Sequence, residues 1–380
     1  MSPRLRIMLI FLLHAVLFGS FGGRLAEVQR DLGLSASAFG LALAGQPVGF
    51  ILGTFVSARI NDAVGNRRSM LLVFLISAPM PVLVAQAAGF WPVFSALFLF
   101  GLIPSFANVA INVEADRVAH ATGKPVLARS HGVWGIGFLA ASGLSVLAIR
   151  AGVTPIQQFW AVAALVVVAA LVLIWPLVES PARGHDRAGA APRVALPDRV
   201  SFLMMGFASF GIVSEIIARS WAVIYLRDAF HTADWIAAAA LPAFIAMQTV
   251  GRLVTDPLVA RLGEVGLGRA LAVTGFAGLG LLITAPNVEL ALAGTALTGL
   301  GSSAIYPLAI AALARRTERP SAESMAGFSI LQNLAFLAAP VLFGFAAEAM
   351  DLRLAMALFL PLPVLGYFYA RVLRSPTSGI

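Results

Sequence analysis

Twelve apolar stretches, each close to twenty residues long, constrain this chain more than any other feature. They fall at 5–23, 38–58, 69–90, 92–115, 130–150, 155–178, 200–226, 234–254, 267–286, 288–313, 323–348 and 352–373. A hydrocarbon layer about 30 Å thick is crossed by roughly 20 helical residues. In that layer a helix is the economical solution, because it pairs all its backbone polar groups internally. The charged fraction is only 12% and the mean hydropathy is +0.90. A soluble domain of this length carries roughly 25% charged residues, so there is too little polar surface to coat a globule. The predicted fold class is an all-α polytopic membrane protein. The first stretch follows Arg4 and Arg6 but shows no small-residue cleavage site, so it reads as a span rather than a leader.

The positions of lysine and arginine orient the spans. With the N-terminus inside, twenty of these residues lie in or beside cytoplasmic segments and five lie outside, with Arg219 inside the seventh span. That bias follows the positive-inside rule and places both termini in the cytoplasm. A multi-pass protein of a bacterial inner membrane is expected. The formal charge of +8 comes from basic residues spread singly, with no patch that would hold nucleic acid. There is no cysteine, and none of the five histidines sits at metal-ligand spacing. No metal, cofactor or catalytic residue is therefore expected.

Residues 179–199 form the longest polar stretch, rich in proline and arginine, midway along the chain. They read as a cytoplasmic linker between six-helix bundles at 1–178 and 200–380. The halves share a mark. Gly53 and Gly65 are twelve apart at the end of span two, and Gly251 and Gly263 are twelve apart at the end of span eight. The offset is 198 residues in both cases, which argues for internal duplication.

Between spans two and three lie Ala58, Ile60, Asp62, Gly65, Arg67 and Arg68. This pattern resembles the signature loop of the major facilitator superfamily, with alanine in place of the first glycine and Ala63 where a basic residue is usual. The resemblance implies twelve helices in two bundles, and a loop that latches one state of an alternating-access cycle. It implies a gating role for Asp62, Gly65, Arg67 and Arg68, with Arg117 or the start of span eleven as partner. The second copy, Gly251 and Arg252 through Arg261 and Gly263, has Ala260 at the aspartate position. Asn112, Glu114, His131, Gly132, Trp134 and Gly137, with Glu215, Trp221, Tyr225 and Arg227, resemble the YbjJ-like bacterial inner-membrane branch. Ser220 stands where that branch has an aspartate.

Ionisable groups in a bilayer are costly and persist beside a partner or a wet cavity. Glu215 and Arg219, four apart on one helix face, are candidates for binding solute or a coupling proton, or for a permanent ion pair. His14 lies in span one. Ser105, Asn108 and Asn112 form a polar stripe on span four, suited to a hydroxylated or zwitterionic solute or to interhelical hydrogen bonds. Trp134 and Trp221 suit stacking on a ring or plain packing. Gln46, Gln248, Tyr306, Gln332 and Asn333 are further candidates. Glu114 and His131 are expected to brace a gate. The glycines at 132, 135, 137 and 143 read as close-packing positions, and Pro47, Pro104, Pro242, Pro307 and Pro340 as kinks.

The sequence thus predicts a monomeric secondary active transporter for a small solute, in lipid, with protons as a candidate co-substrate. A symporter, an exporter and a non-transporting sensor on the same fold remain alternatives.

Overall fold

The computed structural model describes residues 1–178, 196–316 and 321–374. Most of the proposed linker, 179–195, lies outside the described residues. Among those described, the chain is helical without a strand. Twelve helical segments are long and apolar enough to cross a membrane. The six of the first half are Pro3–Gly22, Ala36–Val64, Asn66–Gln86, Phe90–Thr122, Arg129–Arg150 and Pro155–Ile174. The six of the second are Arg199–Ser220, Asp234–Leu253, Thr255–Thr284, Val288–Ala314, Glu323–Ala349 and Leu352–Leu373. Their outward faces carry Phe55, Leu147, Val172, Leu253 and Phe368, all at least 60% exposed. A surface so apolar is stable only against lipid.

The described residues fall in two compact units. One lies within Met1–Arg187 together with Asp234–Ala238, the other within Ala188–Ala233 together with Ala239–Ile380. Each has its own apolar core. In the first, Ile7, Phe11 and Leu17 pack with Phe74, Ile111 and Val166. In the second, Phe207 and Phe210 pack with Leu271, Ile305, Leu308 and Phe328.

Prolines set most of the breaks inside spans. The helix is interrupted at Ala44, Ala239, Val254 and Ala304, each three residues before a proline at 47, 242, 257 or 307. The missing N–H leaves the carbonyl four residues earlier unpaired, and the ring crowds it. Pro104 and Pro340 behave otherwise, lying within uninterrupted helices.

The duplication is written into the backbone. Gly65 (φ 90°, ψ 142°) divides spans two and three, and Gly263 (φ 69°, ψ 165°) breaks the helix 198 residues later. Both conformations are essentially confined to glycine. Span eight therefore runs past its break at Val254 as far as Gly263, as span two runs to Gly65. The close contacts repeat as well. A Cβ on Gly53 would stand 2.1 Å from Ser105 Oγ, and one on Gly251 would stand 2.3 Å from Ser303 Oγ. The two serines are again 198 apart. The reading of span five as a glycine-packed helix holds for one position of four. Gly137 abuts the Leu12 carbonyl, whereas no atom lies within 4 Å of a Cβ placed at Gly132, Gly135 or Gly143.

The first unit also buries a complete cation. Arg24 is 0% exposed. Its Nη1 donates to Glu27 Oε2 at 2.6 Å, its Nε to Gln158 Oε1 at 2.7 Å and its Nη2 to the Val153 carbonyl at 2.7 Å. Gln158 Nε2 continues to Ser145 Oγ at 2.7 Å, and Ser145 donates to the Ser20 carbonyl at 3.3 Å. Spans one, five and six are pinned together at one end by this chain of bonds.

Candidate functional site

Among the described residues of the second unit, polar side chains from several spans converge around Glu215. This residue lies in the helix Arg199–Ser220, which Asp198 caps by accepting from Ser201 N at 2.8 Å. One turn on, Arg219 pairs with Glu215 Oε1 at 2.5 Å. The other carboxylate oxygen faces span eight. Gln248 Nε2 donates to Oε2 at 3.1 Å, and Arg252 Nη2 stands 3.7 Å from it. Span ten closes the group, with Ser302 Oγ 3.5 Å from Gln248 Nε2. Its Ser303 carbonyl accepts Arg252 Nε at 3.1 Å. Tyr306, on the same helix beyond the Ala304 break, has its hydroxyl within hydrogen-bonding reach of the Gln332 side chain. Its ring lies 6.1 Å from that of Phe328.

One carboxylate thus holds two guanidiniums and one amide, from two spans. Both oxygens of Glu215 are engaged. A cationic group would have to displace an arginine to reach it. Arg252 belongs with this cluster. Expected in the gating set, it stands eleven residues before the turn at Gly263, about 16 Å along a helix. Local spacing reveals Glu215 and Arg219 but not Gln248 or Arg252, which come from another span.

The remaining candidates are dispersed. Gln332 is half-buried beside Tyr306, while Asn333 is exposed. Trp221 is 1% exposed, donates Nε1 to the Pro340 carbonyl at 3.2 Å and packs on Phe343 at 4.9 Å. It is core, and of its two expected roles, stacking on a solute or plain packing, the burial favours packing and takes it out of the solute-contacting set. In the first unit, His14 is buried and its Nδ1 accepts from Trp134 Nε1 at 3.2 Å. An indole N–H only donates, so a neutral His14 carries its proton on Nε2. That nitrogen has no hydrogen-bond partner among the described residues. The span-four stripe is partly spent on its own helix: Ser105 Oγ donates to the Leu102 carbonyl at 2.7 Å and Asn112 Nδ2 to the Asn108 carbonyl at 2.6 Å. Asn108 is half-buried.

Of the gating loop, Asp62 and Arg68 are exposed. Arg67 donates to the Leu177 carbonyl at 3.4 Å and lies 5.3 Å over the Trp175 ring. Arg117, an expected partner of Asp62, lies 3.5 Å from Glu114, and His131 meets the edge of Phe11 at 5.1 Å. Arg261 is exposed beside the Gly263 break. Sequence reasoning missed Asn61. It is buried, donates Nδ2 to the Phe106 carbonyl at 3.1 Å and accepts from Ser69 Oγ, tying spans two, three and four beneath the loop.

Twelve apolar spans in two halves of matched backbone, with a charged cluster inside one of them, define an α-helical membrane carrier. Residues 7–279 match the model of the Major Facilitator Superfamily, and the chain belongs to that family of transporters. The uncharacterized transporter y4wD of Sinorhizobium fredii is 29% identical over 353 residues, 90% of this chain and 91% of that one. The membrane protein MosC of Rhizobium meliloti is 20% identical over 359 residues, 93% of this chain and 86% of that one. Among solved structures, the nucleoside transporter NupG has the same fold, with a TM-score of 0.77 at 14% identity, covering 98% of this chain and 99% of that one. A D-xylose-proton symporter gives 0.70 at 16%, covering 98% and 97%. The chain is a transporter and not an enzyme.

Proposed function

We propose that this transporter takes its solute at the cluster of Glu215, Arg219, Gln248, Arg252, Ser302 and Tyr306, and moves it by alternating access. The observation that carries the reading is the meeting of spans seven and eight on one carboxylate inside an apolar helical unit, with span ten bonded to both span-eight partners. Charge held within membrane-spanning helices is expensive and is kept where it serves a pathway. The positions 198 residues earlier hold Leu17, Phe21, Phe50 and Thr54 in place of Glu215, Arg219, Gln248 and Arg252. The duplication thus supplies a scaffold twice and the charged group once. Gating is assigned to the first half, at Asp62, Gly65, Arg67 and Arg68, with Glu114 and His131 as its brace.

The two six-helix bundles at 1–178 and 200–380 are the domains of this reading. Both termini lie on the cytoplasmic side of a bacterial inner membrane, supported by twenty basic residues on that side against five on the other. One chain suffices, since the cluster is complete within the second unit. The buried imidazole of His14 supports a proton as co-substrate, because it is a titratable group held within the first unit.

The test is a thermal-shift screen of the purified transporter against sugars, organic acids, amino acids and cationic drugs. The expected hit stabilises the wild type, and its midpoint shift falls at least twofold in Gln248→Ala. A hit whose shift is equal in both proteins contradicts the site.

A further inference from the structure

We infer that the solute is a hydroxylated monocarboxylate, docked on Arg252. The inference rests on the solute site proposed above and adds its chemical class. The cluster holds three formal charges, with Glu215 opposed by Arg219 and Arg252. One positive charge is left uncompensated among these side chains. Such a residual charge selects for one negative charge on the occupant.

The two arginines differ in how they are held. Arg219 is committed to Glu215 at 2.5 Å. Arg252 is oriented by its Nε bond to the Ser303 carbonyl, while its Nη2 stays 3.7 Å from Glu215, beyond hydrogen-bond length. Its side chain is 46% exposed. Among the described residues its two Nη groups make no hydrogen bond. An oriented guanidinium with both terminal nitrogens open is the geometry that grips a carboxylate with two parallel bonds. Around it lie uncharged donors and acceptors: Gln248, Ser302, Tyr306 and Gln332. These match hydroxyls. A phosphate monoester or a dicarboxylate would bring two charges to a cluster with one to offer. Glu215 therefore serves as the charge filter, setting the net positive charge at one.

The experiment measures binding by isothermal calorimetry to the purified full chain. Its probes are gluconate, galacturonate and lactate, each beside its uncharged counterpart sorbitol, galactose or lactamide, together with malate as a dianion. One acid is expected to bind, with its neutral counterpart at least tenfold weaker. Arg252→Gln is expected to lower affinity for that acid at least tenfold. Arg252→Lys keeps the charge without the fork and is expected to fall between. Glu215→Gln raises the net charge to two and is expected to gain binding of malate while keeping the monoacid. Unchanged melting of the unliganded variants shows that they are folded.

If a neutral probe binds as well as its acid and Gln248→Ala still weakens it, the class is wrong and the site stands. If the acid binds equally to Arg252→Gln and to Gln248→Ala, the site itself is wrong. Loss of all acid binding in Glu215→Gln contradicts the charge-filter role.

Discussion

Arg24→Met is expected to lower the stability of the transporter by about 3–5 kcal/mol, the cost of removing one member of a buried ion pair. The arginine is wholly buried; its bonds to Gln158 and Glu27 are buried and its bond to the Val153 carbonyl is partly so. Methionine fills much of the space but leaves Glu27, the Val153 carbonyl and Gln158 without their donor. The lost bonds matter less than the stranded charge. Burial already pushes the Glu27 carboxyl up, against the pull of Arg24. Without Arg24 only the weaker pull of Arg30 opposes that push. The folded state of the variant then binds the proton more tightly than the unfolded chain does, so its stability falls as pH rises between the two values. Two results check this. The melting midpoint of Arg24→Met in detergent drops at neutral pH and partly recovers under mild acid. Arg24→Met/Glu27→Leu, which removes both charges, recovers most of the loss.

The second large effect concerns the repeated helix contacts. Gly101→Val and Gly299→Val are each expected to destabilise their own unit by about 3 kcal/mol, at the upper end of ordinary overpacking. A Cβ on Gly101 would meet the Gln46 carbonyl at 1.9 Å, and one on Gly299 would meet the Phe244 carbonyl at 2.2 Å. Both obstacles are helix backbone, which cannot rotate aside. Both glycines, and both carbonyls, are separated by 198 residues. The matched control is Gly132→Ala with Gly135→Ala, where no atom lies within 4 Å of the added carbon. Alanine there is expected to leave the melting midpoint unchanged or to raise it, since it favours helix over glycine by about 1 kcal/mol per site. Melting of the four variants, read side by side, separates close-packing glycines from tolerated ones.

The spans were legible in the sequence because lipid imposes a length and a composition on each of them. The duplication was legible at Gly53, Gly65, Gly251 and Gly263, because a turn or a close contact that only glycine allows leaves a letter behind. The site was legible by half. Glu215 and Arg219 announce themselves through helical spacing. Gln248 and Arg252 meet them across spans, and no local rule ranks one span-eight side chain over another. Arg252 was further disguised by its place in a degenerate copy of the loop pattern, although the chain resumes as helix at Thr255, beyond the break at Val254, and runs on to Gly263. Arg24 was opaque for another reason. An arginine at a span end usually snorkels to the surface, and its burial depends on Gln158 and Val153, more than a hundred residues away. Trp221 stayed open between stacking and packing because both use the same residue type, and three span-five glycines misled because glycine spacing does not show which helix face meets a neighbour.

The central claim is that the cluster around Glu215 is a wet solute site rather than a sealed brace. The chain has no cysteine, so one introduced thiol reports without background. Tyr306 is 36% exposed and lies beside the cluster. In Tyr306→Cys, the charged reagent 2-sulfonatoethyl methanethiosulfonate is expected to react at a rate at least fivefold slower when the site is saturated with the bound acid. A thiol that the reagent never modifies, or modifies equally with and without the acid, would contradict the account.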